Sequence, residues 1–274
     1  MRPAWAWALL LAAVLACMNA TRPASAQALE TGTVIVVAYS KQRIVVAADS
    51  RASFMAEGFQ DEVCKIAHPA RKVLFAASGM VGAGDWYAAD VAKQVAARLV
   101  ADNPYLSESS LVSLAEAWGR AMAEKIRALP PQAIQKYMRD SQTAALFAGL
   151  DRADEVNMVQ VRLTPVAAAR GIDVRMEVKR VAIDPSGTHF LAFGRPQVAM
   201  EFLGRKTAVA QAEAAKWPEY FRGSQDIAQD VAIRLVELTG HYDERKDLVG
   251  GSTAAIRMDG QGGVRWLKRP ASCY

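Results

Sequence analysis

Apolar positions along this chain fall into blocks of two periods. Val34-Ile35-Val36-Val37-Ala38 and Ile44-Val45-Val46-Ala47-Ala48 are continuous, mostly β-branched runs on either side of the polar link Ser40-Lys41-Gln42. They read as a buried β-hairpin whose first strand opens at Thr33. After a polar loop at 54–62, Val63-Cys64-Lys65-Ile66 begins a further segment, and 72–78 reads as another buried strand that ends at Ser78-Gly79. Gly79, Gly82 and Gly84 mark a tight passage beyond it. The period then becomes helical: Val91, Val95 and Leu99 share one face, as do Leu111, Leu114, Trp118, Met122 and Ile126. Pro104 separates these helices, Pro130-Pro131 ends the pair, and Trp86 and Trp118 are expected in their core. Strand signals return at 143–150, 159–163, 174–178 and 189–193. Helical signals resume from Pro196, with Ile227, Val231, Leu235 and Leu238 in one stripe and Gly240 at its C-terminal end. Strands at 253–258 and 264–268 close the chain around a glycine-rich turn. Strands, helices, strands, helices and strands in that order predict an α+β fold, a four-layer αββα sandwich of two antiparallel sheets flanked by helix pairs.

The N-terminus stands apart from that pattern. Arg2, the uncharged apolar run 4–16 and the small residues Ala24-Ser25-Ala26 make residues 1–26 a signal peptide, too short in its apolar run for a permanent anchor. Ala28, or a lipoprotein-type cut at Cys17, are competing ends for it. A periplasmic or secreted protein is expected, with 27–32 as a short propeptide and 33–274 as one domain. The chain has 274 residues, 52% hydrophobic and 22% charged, enough for one well-buried core. Without Arg2 and Arg22 it carries 31 basic against 28 acidic residues, near +3, too mild for a nucleic-acid partner. No other stretch is long and apolar enough for a membrane helix, so no membrane contact is expected after export. Past residue 26 the cysteines are Cys64 and Cys273, which excludes a disulfide framework and allows one bridge. Cys64 is read as a small buried hydrophobe on the face opposite Lys65. His68, His189 and His241 are far apart, and no metal or cofactor is expected.

Candidate chemistry sits at the ends of the hairpin. A threonine hydroxyl needs a base beside it, and cutting the chain at Gly32-Thr33 supplies one, the freed α-amine of Thr33, with an ordinary pKa of about 7.7 to 8.0. A neighbouring ammonium, Lys65, lowers that value and leaves more amine able to accept a proton. Asp49 would hold Lys65 charged, Arg51 would balance the acid, and the Gly79 N–H could stabilise an oxyanion.

Gly32-Thr33, Ala48-Asp49-Ser50-Arg51-Ala52, Lys65-Ile66 and Ala77-Ser78-Gly79 together resemble the catalytic β-type subunits of the proteasome and the related bacterial ATP-dependent threonine protease. These are N-terminal nucleophile hydrolases. Asp49, Lys65 and Gly79 lie 16, 32 and 46 positions after Thr33, the family's spacing without a gap. The resemblance implies that Thr33 is nucleophile and, through its amine, base, with Asp49 and Lys65 as electrostatic partners and Gly79 as oxyanion donor. It also places Ser53 where main chain pairs with bound peptide, and Ala77 near the side-chain pocket. Later positions depart from the pattern: Arg195 follows Gly194 where the family has serine, and Gly250 replaces the serine of the element that begins at Asp247. Ser252 or a water could stand in for the missing hydroxyls. The expected function is an exported threonine-type peptidase activated by autocleavage at Gly32-Thr33, acting on a peptide or amide substrate, with ring assembly of identical copies open. Two rivals remain: an inactive scaffold or binding subunit of the same fold, and a small-molecule amidase of the same class. The six residues 27–32 are too few for the helical extension that the family's scaffold subunits carry.

Overall fold

The computed structural model describes residues 28–31, 33–54, 58–83, 86–100, 105–130, 142–168, 171–245 and 248–273. Residues 1–26, expected to be a signal peptide, together with Gly32, Gly84, Pro104, Pro131 and Asp247, lie outside them. The strands are β1 (Ala28–Thr31), β2 (Val34–Ser40), β3 (Arg43–Asp49), β4 (Ala52–Phe54), β5 (Gly58–Gln60), β6 (Ile66–Ala70), β7 (Val73–Ala83), β8 (Trp86–Tyr87), β9 (Thr143–Leu150), β10 (Val156–Ala168), β11 (Gly171–Arg180), β12 (His189–Gly194), β13 (Thr253–Asp259) and β14 (Gly263–Lys268). The helices are α1 (Ala88–Leu99), α2 (Glu108–Arg127), α3 (Gln197–Gly204), α4 (Ala208–Tyr220) and α5 (Ile227–Tyr242).

Two antiparallel sheets result, as the apolar blocks predict. One runs β12-β2-β3-β13-β14. The other runs β11-β10-β9-β7-β1-β4-β5, with β6 and β8 also paired to β7. Alternating side chains of each sheet enter different apolar clusters. Ile35, Val37 and Ile44 of the first sheet meet Ile66, Leu74 and Leu146 of the second in the cluster between the sheets. Phe75, Phe147 and Val161 on the other face of the second sheet pack against Val91, Leu114 and Trp118 of α1 and α2. Val34, Val36 and Val45 face Phe202, Leu235 and Val236 of α3 and α5. The hairpin at the centre of the first sheet turns on Lys41-Gln42 alone, since Ser40 pairs with Arg43.

Several boundaries differ from the sequence reading. Strand β7 does not end at Gly79 but continues to Ala83, because β1 supplies hydrogen-bond partners along that stretch. The expected polar loop 54–62 contains the β4–β5 hairpin. Leu99 and Ile227, at helix ends, are 53% and 60% exposed and lie outside their stripes. Trp86 sits in β8 rather than a helix, whereas Trp118 is buried and donates to the Ala88 carbonyl at 3.0 Å. Helix α5 runs past Gly240 to Tyr242. Cys64 is not a free apolar side chain: it is bridged to Cys273, 209 residues away. Closing so long a loop removes about 5 kcal/mol of denatured-state entropy in the chain-entropy treatment. Among the described residues no helix is long and apolar enough to cross a membrane.

Candidate active site

Thr33 stands immediately before β2 and is fully buried. Both neighbouring peptide groups are pinned. Its carbonyl accepts from the Arg195 N–H at 2.8 Å, and the next amide, Val34 N–H, donates to Asp49 Oδ1 at 3.0 Å. The Thr33 hydroxyl has no hydrogen-bond partner among the described residues. A buried polar atom left unpaired costs about 1–3 kcal/mol, so a protein that keeps one invites a functional explanation.

Asp49 ends β3, held in register by Thr253 of β13 opposite it. Its Oδ1 accepts from both Val34 N–H and Lys65 Nζ, each at 3.0 Å, and Oδ2 accepts from Gly250 N–H at 3.1 Å. One carboxylate oxygen thus joins the Lys65 ammonium to the amide that follows the threonine. Lys65 reaches it from the segment before β6, its carbonyl fixed by Ala77 N–H at 3.0 Å. Its side chain is fully buried and also donates to the Arg51 carbonyl. Two of the three ammonium hydrogens are thereby used. Burial pushes Lys65 below its ordinary value and Asp49 above it; each is drawn back by the other's charge, and Asp49 also by the two backbone donors.

Arg51 does not chiefly serve as the counter-charge to Asp49. Its guanidinium grips Asp61 with two bonds of 2.6 and 2.8 Å, which hold the Asp61 carboxyl below the usual range, and its carbonyl takes the Lys65 proton bond. Ser252 is likewise committed elsewhere: its N–H and hydroxyl both bond Ser50 Oγ, at 2.9 and 3.1 Å, so it does not replace the absent serines beside Thr33. Gly250 explains one of those absences. At φ +148° it brings its backbone to Asp49, and a Cβ there would lie 2.9 Å from Arg51 Cζ. Arg195 bonds Asp243 with its Nε at 3.1 Å and serves Thr33 through its amide.

Gly79 adopts φ +84°, and a Cβ on it would lie 2.2 Å from the Gln142 carbonyl oxygen, so only glycine fits. Strand β1, made of residues expected to form the propeptide, lies between β4 and β7 with Thr31 opposite Gly79 and Glu30 opposite both Ser53 and Met80. Ser53 is therefore on the ladder beside the leader. Ala77 is buried with Ala52, Val63 and Val81 in the helix-side core. The structure brings Thr33, Asp49, Lys65 and the Arg51 carbonyl together, and sets Gly79 and Ser53 along the leader strand. Sequence reasoning missed Asp61, Ser50 and β1; Glu30-Thr31 beside two strand-forming runs was the available signal for the last. Compared with known proteins, the chain matches no family model and no curated protein.

Proposed function

We propose that this protein is an exported threonine-type peptidase of the N-terminal nucleophile class, made active by cleaving its own Gly32-Thr33 bond. The observation that carries the reading is the buried, unpartnered Thr33 hydroxyl beside the Lys65–Asp49 pair. In the precursor the hydroxyl oxygen attacks the Gly32 carbonyl carbon, its proton passes to the departing Thr33 nitrogen, and the amide becomes an ester. Water then splits the ester, returning the hydroxyl and leaving a free amine on Thr33. Lys65, with its proton affinity lowered by burial, is suited to relay that proton. In the mature chain the amine takes the hydroxyl proton directly, and the acyl group of a bound substrate replaces that of Gly32.

A peptide is favoured over a small amide because departure of β1 leaves a groove one strand wide between β4 and β7. An extended chain entering it gains main-chain bonds on both sides. The Cys64–Cys273 bridge supports an oxidising compartment, periplasmic or extracellular. Gly250 and Arg195, which replace supporting hydroxyls, favour instead an inactive scaffold, so the test must separate the two. Intact mass of the exported protein is expected to show a start at Thr33, and Thr33→Ala to keep residues 27–32 and lose hydrolysis of fluorogenic peptides. A wild-type chain that starts uniformly at Gln27 or Leu29 and cleaves no peptide overturns the reading.

A further inference from the structure

Lys65 is supplied by an irregular segment, the link from β5 into β6, and that link is fastened by a covalent bond at its neighbour. Cys64 immediately precedes Lys65, and its sulfur joins Cys273 of the tail after β14. Cys273 is buried in the cluster between the sheets, with Ile66 and Leu74. The tail is folded back on itself: Cys273 N–H donates to the Pro270 carbonyl at 3.0 Å, and Arg269 Nε to the Cys273 carbonyl at 2.5 Å. One bond thus clamps the link carrying the ammonium to the far end of the opposite sheet. Cys273 is buried, and the bridge meets solvent only on its Cys64 side. Cys64 is partly exposed and opens on a cleft of about 380 Å³ walled by Gln60, Glu62, Lys93 and Ser272. Cys64 Sγ lies 3.0 Å from the Ile66 carbonyl oxygen. As a disulfide it has no proton to give there, and reduction removes the covalent tie, leaving the link held by the Ala77 N–H on the Lys65 carbonyl and by the pairing of Ile66 with Ala76.

We infer that the Cys64–Cys273 disulfide is a redox-controlled positioning element for Lys65, holding its ammonium on Asp49 when oxidised and releasing it when reduced. The inference rests on the peptidase reading for its consequence in activity, and on geometry alone for its consequence at Lys65. A dithiol reductant attacks the bridge through its thiolate, two electrons convert the disulfide into two protein thiols, and the reductant leaves as its own cyclic disulfide. A chain still in a reducing compartment would then keep its nucleophile unassisted, and bridging after export would complete the site.

The experiment compares the full chain, oxidised and treated with dithiothreitol, and a Cys64→Val/Cys273→Val variant that fills the buried space without a bond. Three readouts are taken: labelling of each lysine by an amine-reactive ester, kcat/KM against pH, and near-UV circular dichroism. Reduction is expected to raise Lys65 labelling at least tenfold with other lysines unchanged, to lower kcat/KM at pH 7 about tenfold, and to move its limb to higher pH as the cation recedes from the amine. The valine variant is expected to resemble the reduced chain and to ignore the dithiol. Labelling that changes in a protein without any hydrolysis upholds the positioning role and sinks only the peptidase reading. Unchanged labelling and an unchanged pH profile overturn the inference, as does loss of the whole near-UV spectrum on reduction, which would make the bridge a general staple.

Discussion

Asp49→Asn and Lys65→Met, made singly and together on a Thr33→Ala background, weigh the buried ion pair apart from any chemistry, because the leader stays attached in every variant. Asp49→Asn strands an ammonium whose side chain is fully buried and whose remaining strong acceptor is the Arg51 carbonyl. Lys65→Met strands a carboxylate that keeps two backbone donors, from Val34 and Gly250. Removing one partner of a buried pair costs about 3–5 kcal/mol. A separate ceiling agrees: at pH 7 a lysine of ordinary pKa about 10.4 gives up its charge for about 5 kcal/mol, and a carboxyl of about 3.9 for about 4. Each single variant is thus expected to lose about 3–5 kcal/mol, with Lys65→Met at the lower end. The double variant strands no charge and is expected to lose about 2 kcal/mol, so its loss falls short of the sum of the singles by about 4 kcal/mol or more. Urea unfolding followed by tryptophan fluorescence measures all three. The pH slopes carry a second signature. Stranded Lys65 is pushed down by burial, so its contribution to stability is full above the unfolded value and lost as pH falls through the folded one. Asp49→Asn therefore regains up to about 1.4 kcal/mol per pH unit as pH rises from 7 to 9. Stranded Asp49 is pushed up, its contribution is full below the unfolded value, and Lys65→Met regains stability as pH is lowered. Additive losses below about 1 kcal/mol each, or slopes of one sign, would show the pair to be an ordinary solvated contact and the reasoning wrong.

Gly250→Ser places a side chain against Arg51 at a backbone angle suited to glycine, and is expected to cost about 1–3 kcal/mol and to slow hydrolysis. A faster enzyme would show instead that the serine restores a missing hydroxyl. Asp61 is held below the usual carboxylate range by Arg51, so its contribution is present above the unfolded value and lost as pH falls. Asp61→Asn should flatten stability between pH 5 and 3 by less than about 1 kcal/mol, the limit for so exposed a group, as read from unfolding midpoints across that range. For the proposed peptidase starting at Thr33, kcat/KM is expected to rise along a limb at or below about 7.7 to 8.0, the range of an ordinary α-amine. A profile that stays flat from pH 5 to 9 would remove the amine as base.

The strands, the helices and the Thr33–Asp49–Lys65 constellation were legible because each rests on a local period or on spacing within one supersecondary unit. What stayed hidden depends on partners distant in sequence. Gly79 read as a strand end because nothing in its neighbourhood reveals that residues 28–31 will come to lie beside it. The two cysteines could be seen to permit a bridge, yet only the fold brings residues 209 apart into contact. Arg51 was assigned to the nearest acid in sequence, while Asp61 returns on the β4–β5 hairpin to claim it. Gly250 looked like a lost hydroxyl. In the fold it is the space that Arg51 fills.

Among the described residues, β4 pairs with β1 and β5, and β5 pairs with β4, so the leader is what fastens this hairpin to β7. Maturation by loss of residues 27–32 would therefore leave a sheet with a missing rib and two outer strands held by their chain ends and by Ala52 in the helix-side core. Whatever extended chain next lies down in the vacancy would be mending the architecture as it binds, and the proposed peptidase would loosen again each time the fragments drift out.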